Sequence, residues 1–391
     1  MTAVAIEEAS APARTAAGRV YSIDVIRGLV MVLMAIDHAR VYSGLPAGGP
    51  TPGIFFTRWV THFCAPAFVF LAGTSAFLYH RSGGNVARFL FTRGLWLIFL
   101  ELTVLRVAWT FNADFGSYNM AGVIWALGWS MIALAALSRL PAAAVGALGV
   151  LIMAGHNLLP MPDGSGALWK ILYVGFWQGP FRLGENGPPM IVLYSLIPWA
   201  GVMMAGYGFG SLLAKARDAR DARYAPILAV GLGATALFVV LRSFNIYGEP
   251  NRWEGGFLSF LNTSKYPASL QFLLMTLGPV IALIPLLERL RAPRALRAVE
   301  IFGRVPFSFY VLHIPLIHLL AVIVSQVRLG FVSPWLFENH PMGAGPAPDG
   351  YTWSLPLLYL VWAIAIALLY PACRRFADLK ARRRDWWLSY L

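Results

Sequence analysis

Apolar residues run along the chain in long blocks, each about the length a helix needs to cross a bilayer, and polar residues collect between them. The pattern predicts about ten transmembrane helices, near residues 23–43, 57–80, 89–110, 121–138, 141–158, 189–213, 224–243, 267–288, 305–327 and 353–373. Only Arg139, Leu140 and Pro141 divide the fourth from the fifth. The expected fold class is all-α, a polytopic transmembrane helix bundle. Its expected layout is an N-terminal tail (1–21), a single transmembrane domain (22–374) and a basic C-terminal tail (375–391). The residues before the first block are polar and Ala-rich, without an apolar core of their own. The block itself carries Asp24, Arg27, Asp37 and His38, so it reads as an uncleaved first span rather than a signal peptide.

Composition agrees with a membrane solvent. The chain is 58% hydrophobic and 13% charged, with a mean hydropathy of +0.63. Disorder, a fibrous rod and an ordinary soluble enzyme are excluded. The formal charge of +13 would suggest nucleic acid in a soluble chain, but its placement points elsewhere. With the N-terminus in the cytoplasm, ten spans return the C-terminus there. Most basic residues then fall on the cytoplasmic side: Arg81, Arg88 and Arg93; Lys215, Arg217, Arg220 and Arg223; Arg289 to Arg304; and Arg374 to Arg384. The opposite side holds fewer, among them Arg40, Arg58, Arg242 and Lys265. This is the positive-inside pattern, and it makes the lipid bilayer, not nucleic acid, the expected partner. Three long outer connections, near 159–188, 244–266 and 328–352, are rich in Gly, Pro, Trp and Tyr and would serve an outward-facing site. Cys64 and Cys373 lie far apart in apolar runs, with no disulfide framework and no metal spacing.

Ionisable side chains inside spans are costly and are therefore the first functional candidates. In the first span Arg27 and His38 are separated by close to three helical turns, roughly 16 Å along the axis, so one stripe joins a cation near the inner face to a deep base. Asp37 beside His38 could orient it or face another helix. His62 enters the second span from the outer side at a matching depth, followed by Pro66 and Gly73. Glu101 and Arg106 of the third span fall on different faces, and Glu101 reads as a structural partner for another helix. His156 closes the fifth span, and Lys265 lies in the polar cluster Asn262-Thr-Ser-Lys265-Tyr-Pro267 at the outer mouth. The ninth span carries Ser308, Tyr310 and His313 with Pro315. No HExxH, Walker A or GxGxxG pattern is present, so no metal site is expected.

These residues carry a resemblance. The opening Ser22-Ile-Asp-Val-Ile-Arg27-Gly with Asp37-His38, the segment Phe68-Val-Phe-Leu-Ala-Gly73-Thr-Ser, and Asn262 to Pro267 look like bacterial membrane proteins related to heparan-alpha-glucosaminide N-acetyltransferase. A more remote similarity is to integral membrane acyltransferases that O-acetylate surface polysaccharides. Their first helix has a basic residue, ten residues and then a functional histidine, matched by Arg27 and His38. Their late helix is echoed by Gly303, Ser308, Tyr310 and His313-Ile-Pro315. The heparan enzyme has Asn at the position of His38, and its His-rich segment between the first two spans is missing here, so its catalytic histidine does not carry over.

The resemblance implies a multi-pass transferase of the bacterial inner membrane that moves an acetyl or short acyl group from acetyl-CoA to a sugar hydroxyl or amine. Arg27, Arg93 and Arg304 would bind the phosphates of cytoplasmic acyl-CoA. His38 would act as general base or acyl carrier, with Asp37, His62 and His313 as further catalytic candidates. His156 and Lys265 would meet a sugar or glycan acceptor. An oligomer is compatible with this scheme. The alternative is a secondary transporter or flippase for a lipid-linked or sugar substrate, supported by the same buried polar groups and by Pro66 and Pro315; no inverted repeat accompanies them.

Overall fold

The computed structural model describes residues 19–182, 184–218, 224–289, 294–383 and 385–389. Most of the N-terminal tail, Arg220, Arg223 and Arg291, and Arg384 of the C-terminal tail lie outside the described residues.

The chain is mostly helical. In order come α1 (Tyr21–Ser43), α2 (Pro52–Arg81), α3 (Val86–Leu100), α4 (Arg106–Thr110), α5 (Val123–Leu137), α6 (Ala142–Gly155), α7 (Leu196–Asp218), α8 (Ala225–Ser243), α9 (Leu270–Arg289), α10 (Arg294–Arg304), α11 (Pro306–Leu329) and α12 (Leu355–Arg382). Local sequence accounts for many of their ends. Asp24 sits in the first turn of α1 and Arg40 in its last, each favourable to the helix dipole, and Gly44 at φ 74° terminates it. Thr51 and Ser354 cap α2 and α12, each followed by a Pro that suits a first helical turn. A π-helical turn, Glu101–Leu105, joins α3 to α4.

Among the described residues six helices are long and apolar enough to cross a membrane: α2, α7, α8, α9, α11 and α12. The other expected spans are helical too, but differ for two physical reasons. The first and third carry their own charges, Asp24, Arg27, Asp37 and Arg40 in α1, and Arg88 and Arg93 with Glu101 and Arg106 along α3 and α4. The fourth and fifth, α5 and α6, are shorter helices of 15 and 14 residues. The stretch 294–304, expected as part of a cytoplasmic connection, forms the strongly amphipathic α10.

The all-α expectation also missed a small sheet. β1 (Asn119–Ala121), β2 (Phe181–Arg182) and β3 (Pro189–Val192) form a three-stranded sheet in the order β1-β3-β2. β1 runs parallel to β3 with Asn119 opposite Met190, and β2 runs antiparallel with Phe181 opposite Met190. These strands belong to connections whose backbone groups have no helix to satisfy them and so pair with one another.

The polar helix α1 is surrounded. It packs on α2, α9, α10, α11 and α12, whereas α8 and α12 turn Val230, Leu232, Leu237, Leu360 and Leu368 outward. Close helix approach through small residues builds this bundle. A Cβ on Gly28 would overlap the Val299 carbonyl, and one on Gly303 would overlap the Asp24 carbonyl, so α1 and α10 touch backbone to backbone. Gly73 and Gly206 do the same between α2 and α7. Replacing Gly303 with Leu is expected to cost about 3 kcal/mol or more, seen as a lower thermal midpoint or loss of the monodisperse peak in detergent. Gly233→Leu, where a Cβ meets nothing within 4 Å, is the matched control and should leave both unchanged.

Candidate active site

A cavity of about 690 Å³ follows α1 along its length, lined successively by Arg27, Met34, Asp37, His38 and Val41. The end near the α1 N-terminus is cationic. Arg19, Arg27, Arg93 of α3, Arg304 at the end of α10 and Lys380 of α12 all line it. Arg27 is anchored there by donating to the Leu71 carbonyl at 2.9 Å and to the Ser75 hydroxyl. Asp24 lies 4.0 Å from Arg27 and accepts from Arg19 at 3.0 Å. The middle of the passage is apolar, walled by Met34, Phe68, Leu97, Leu127, Met131 and Phe307.

His38 lines the passage farther along α1. Its Nδ1 lies 2.6 Å from Nε2 of His313 on α11, and the two rings stack with centroids 4.8 Å apart. The hydrogen-bond network assigns the tautomers. His313 Nδ1 lies 2.7 Å from the Tyr310 carbonyl and 3.1 Å from that of Phe309. Carbonyls only accept, so this nitrogen carries the proton, and Nε2 of the neutral ring is an acceptor. His38 therefore donates from Nδ1, and its Nε2 keeps a lone pair. That nitrogen makes no hydrogen bond among the described residues. Trp109 braces the His38 ring edge-on at 4.8 Å. The carbonyls three and four residues back on α11 hold His313 Nδ1 against its own helix backbone and leave Nε2 for α1.

Asp37 does not bond to this pair. Its carboxylate takes Arg40 at 2.7 Å and lies 3.9 Å from Arg58. The partner of His38 is thus an imidazole from another helix rather than its neighbour in sequence. Lys265 also lines the cavity, with its ammonium over the rings of Tyr194 and Tyr266 at 5.6 and 5.2 Å. Glu249 shapes this loop by accepting from the Ser264 amide at 2.9 Å and the Ser269 hydroxyl at 2.6 Å.

His62 and His156 stand apart. Both are buried, neither lines the cavity, and both ring nitrogens of each lack a hydrogen-bond partner. His62 meets Phe272 edge-on and His156 meets Tyr173 edge-on. Glu101 lines the cavity and accepts from the amides of Ile124 and Trp125 at 3.0 and 3.2 Å, capping the N-terminus of α5. Lys380 was not among the candidates, because one lysine in a basic tail resembles every other; its spacing on α12 carried no distinguishing signal. No group of three His, Cys, Asp or Glu able to hold a metal occurs among the described residues.

Residues 19–247, more than half of the chain, match the family model described as heparan-alpha-glucosaminide N-acetyltransferase, catalytic. No curated protein matches the chain. The matched stretch contains Arg27, Arg93 and His38, while His313, Lys265 and Arg304 fall beyond it. Replacing Glu101 with Ala should remove the cap on α5 and lower stability by about 1–2 kcal/mol, with Glu101→Gln losing less; thermal unfolding in detergent reads the difference.

Proposed function

From the premise that the chain belongs to the heparan-alpha-glucosaminide N-acetyltransferase catalytic family, we propose that it transfers an acetyl group from cytoplasmic acetyl-CoA to an amine or hydroxyl of a sugar presented on the other side of the membrane. The observation that carries this reading is one cavity whose lining joins a cluster of cations at one end to a partnered histidine with a free ring nitrogen toward the other. The catalytic unit is 22–374, and the flanking tails 1–21 and 375–391 add Arg19 and Lys380 to its cationic end. In this reading α1, α3 with α4, α5 and α6 also span, giving ten spans with both termini cytoplasmic in a bacterial inner membrane. The polarity of α1 and α3 is compatible with spanning because α1 is enclosed by other helices and both contribute to the cavity wall.

Arg27, Arg93, Arg304 and Lys380 supply a phosphate-binding mouth for the nucleotide end of the donor. The apolar midsection accepts the pantetheine arm. Arg27 and His38 are roughly 16 Å apart along α1, a span an extended arm of this kind can bridge. At His38 the acceptor nitrogen or oxygen attacks the thioester carbonyl while Nε2 removes its proton. A C–N or C–O bond forms, the C–S bond breaks, and the proton passes from His38 to the departing thiolate. During transfer the bond from Nδ1–H to His313 becomes charge-assisted and steadies the imidazolium. The same Nε2 is the atom that would carry the acetyl group in a two-step route, so acid-quenched enzyme labelled on His38 would replace direct transfer by that route.

His38→Ala is expected to stay folded and to lower transfer by roughly 10²–10⁴-fold, measured with labelled acetyl-CoA and an envelope glycan extract. Wild-type turnover in that variant removes His38 from the mechanism. Arg304→Gln should instead raise the KM for acetyl-CoA by about tenfold with little change in kcat, as expected for loss of a charge-assisted hydrogen bond worth ~1.5 kcal/mol or more.

A further inference from the structure

The outer part of the cavity carries an unbalanced charge. Arg40, Arg58 and Lys265 line it, and Asp37 is the carboxylate that faces them. Asp37 is committed to Arg40 at 2.7 Å and is only at the edge of reach of Arg58. Glu101, the other acid lining the cavity, is committed to the N-terminus of α5. Lys265 is 9% exposed, and among the described residues no carboxylate lies within ion-pair distance of its ammonium. Its neighbours are the faces of Tyr194 and Tyr266. A buried ammonium is costly to leave without an anion, and two ring faces at these distances compensate it only in part.

The position of Lys265 is fixed from behind. Glu249 holds the flanking Ser264 amide, Lys265 bridges to Ala268, and Trp177 donates to the Tyr266 carbonyl. Its charge is close enough to act electrostatically on both Asp37 and His38. The rings of Tyr194, Tyr266 and Phe176 complete a wall suited to the flat apolar face of a sugar. A fixed cation beside a base, over an aromatic wall and short of counter-charge, is a built place for a ligand anion.

Resting on the acyltransferase reading, we propose that this end of the cavity is an anion subsite, and that the sugar acceptor carries a carboxylate or phosphate which Lys265 and Arg58 hold while its amine or hydroxyl meets His38. A neutral sugar would leave Lys265 uncompensated and should bind more weakly.

The test uses the full chain in lipid nanodiscs and three probe disaccharides that differ in one group: a glucuronate, the corresponding glucose, and the glucose bearing a phosphate monoester. Calorimetry should show at least one anionic probe binding tenfold or more tighter than the neutral one, and the comparison of the two anionic arms separates carboxylate from phosphate. In Lys265→Gln the preference should fall below threefold, whereas Lys265→Arg should keep most of it. If Lys265→Gln is not monodisperse, Arg58→Gln serves instead with the same expected loss. Equal binding of neutral and anionic probes, binding of none, or a preference that survives both substitutions overturns the subsite. Binding is read without turnover, so the two readings fail separately. Anion preference without any acetyl transfer counts against the transferase and not the subsite. Transfer to neutral and anionic acceptors alike counts against the subsite and not the transferase.

Discussion

A charged side chain in an apolar bundle persists only where other polar groups or water meet it, and in this chain that constraint falls on α1. Asp24, Arg27, Asp37, His38 and Arg40 ride on a single helix that α2, α9, α10, α11 and α12 surround. The backbone contact at Gly28 and Gly303 brings α10 against α1, and Arg304, the next residue, lines the cationic end of the cavity. Where small residues permit contact the helices close, and where the polar residues of α1 would otherwise be stranded a passage remains. The cavity is in this sense the cost of carrying charge through the bundle, and its lining is also its chemistry.

Much of this is legible in the amino-acid sequence. The apolar blocks marked the helices, because a span-length run of hydrophobic residues has few other uses. The periodicity of α1 placed Arg27 and His38 on one stripe, and both do line the same cavity. Residues that join the site through tertiary packing were harder to read. His313 was visible as a mid-span histidine, yet its pairing with His38 depends on the approach of α11 to α1, which no local pattern encodes. His62 and His38 looked equivalent by depth, but rotation about the helix axis turns His62 toward Phe272. Adjacent helical positions diverge by about 100°, which left Asp37 either to orient His38 or to face another helix, and its carboxylate goes to Arg40 and Arg58. The small sheet escaped for a related reason, since two- to four-residue strands are set by their partners and not by their own composition.

The two ends of the cavity pose different recognition problems. The α1 N-terminal end gathers Arg19, Arg27, Arg93, Arg304 and Lys380, a concentration of positive charge suited to the multiply charged nucleotide of the proposed donor. The end near Lys265 has fewer cations, with Arg40 paired to Asp37 and the Lys265 segment held through the Ser264 amide by Glu249, suited to one group in one position. Between them the passage is walled by apolar side chains, among them Met34, Phe68, Leu97 and Phe307. The histidine pair sits where these regions meet, and its tautomers follow from two backbone carbonyls of α11 rather than from any carboxylate. This arrangement needs no acid beside the base, which frees Asp37 to balance Arg40 and Arg58.

The central claim, that one passage places the donor's phosphates among the arginines and its acetyl group at His38, is tested most directly by a cryo-electron microscopy map of the protein with acetyl-CoA bound. Density for the nucleotide among Arg27, Arg93, Arg304 and Lys380, with the thioester carbon in contact with the His38 ring, is the predicted result. A nucleotide seated at the Lys265 end, or an acyl group ending away from His38, would contradict it.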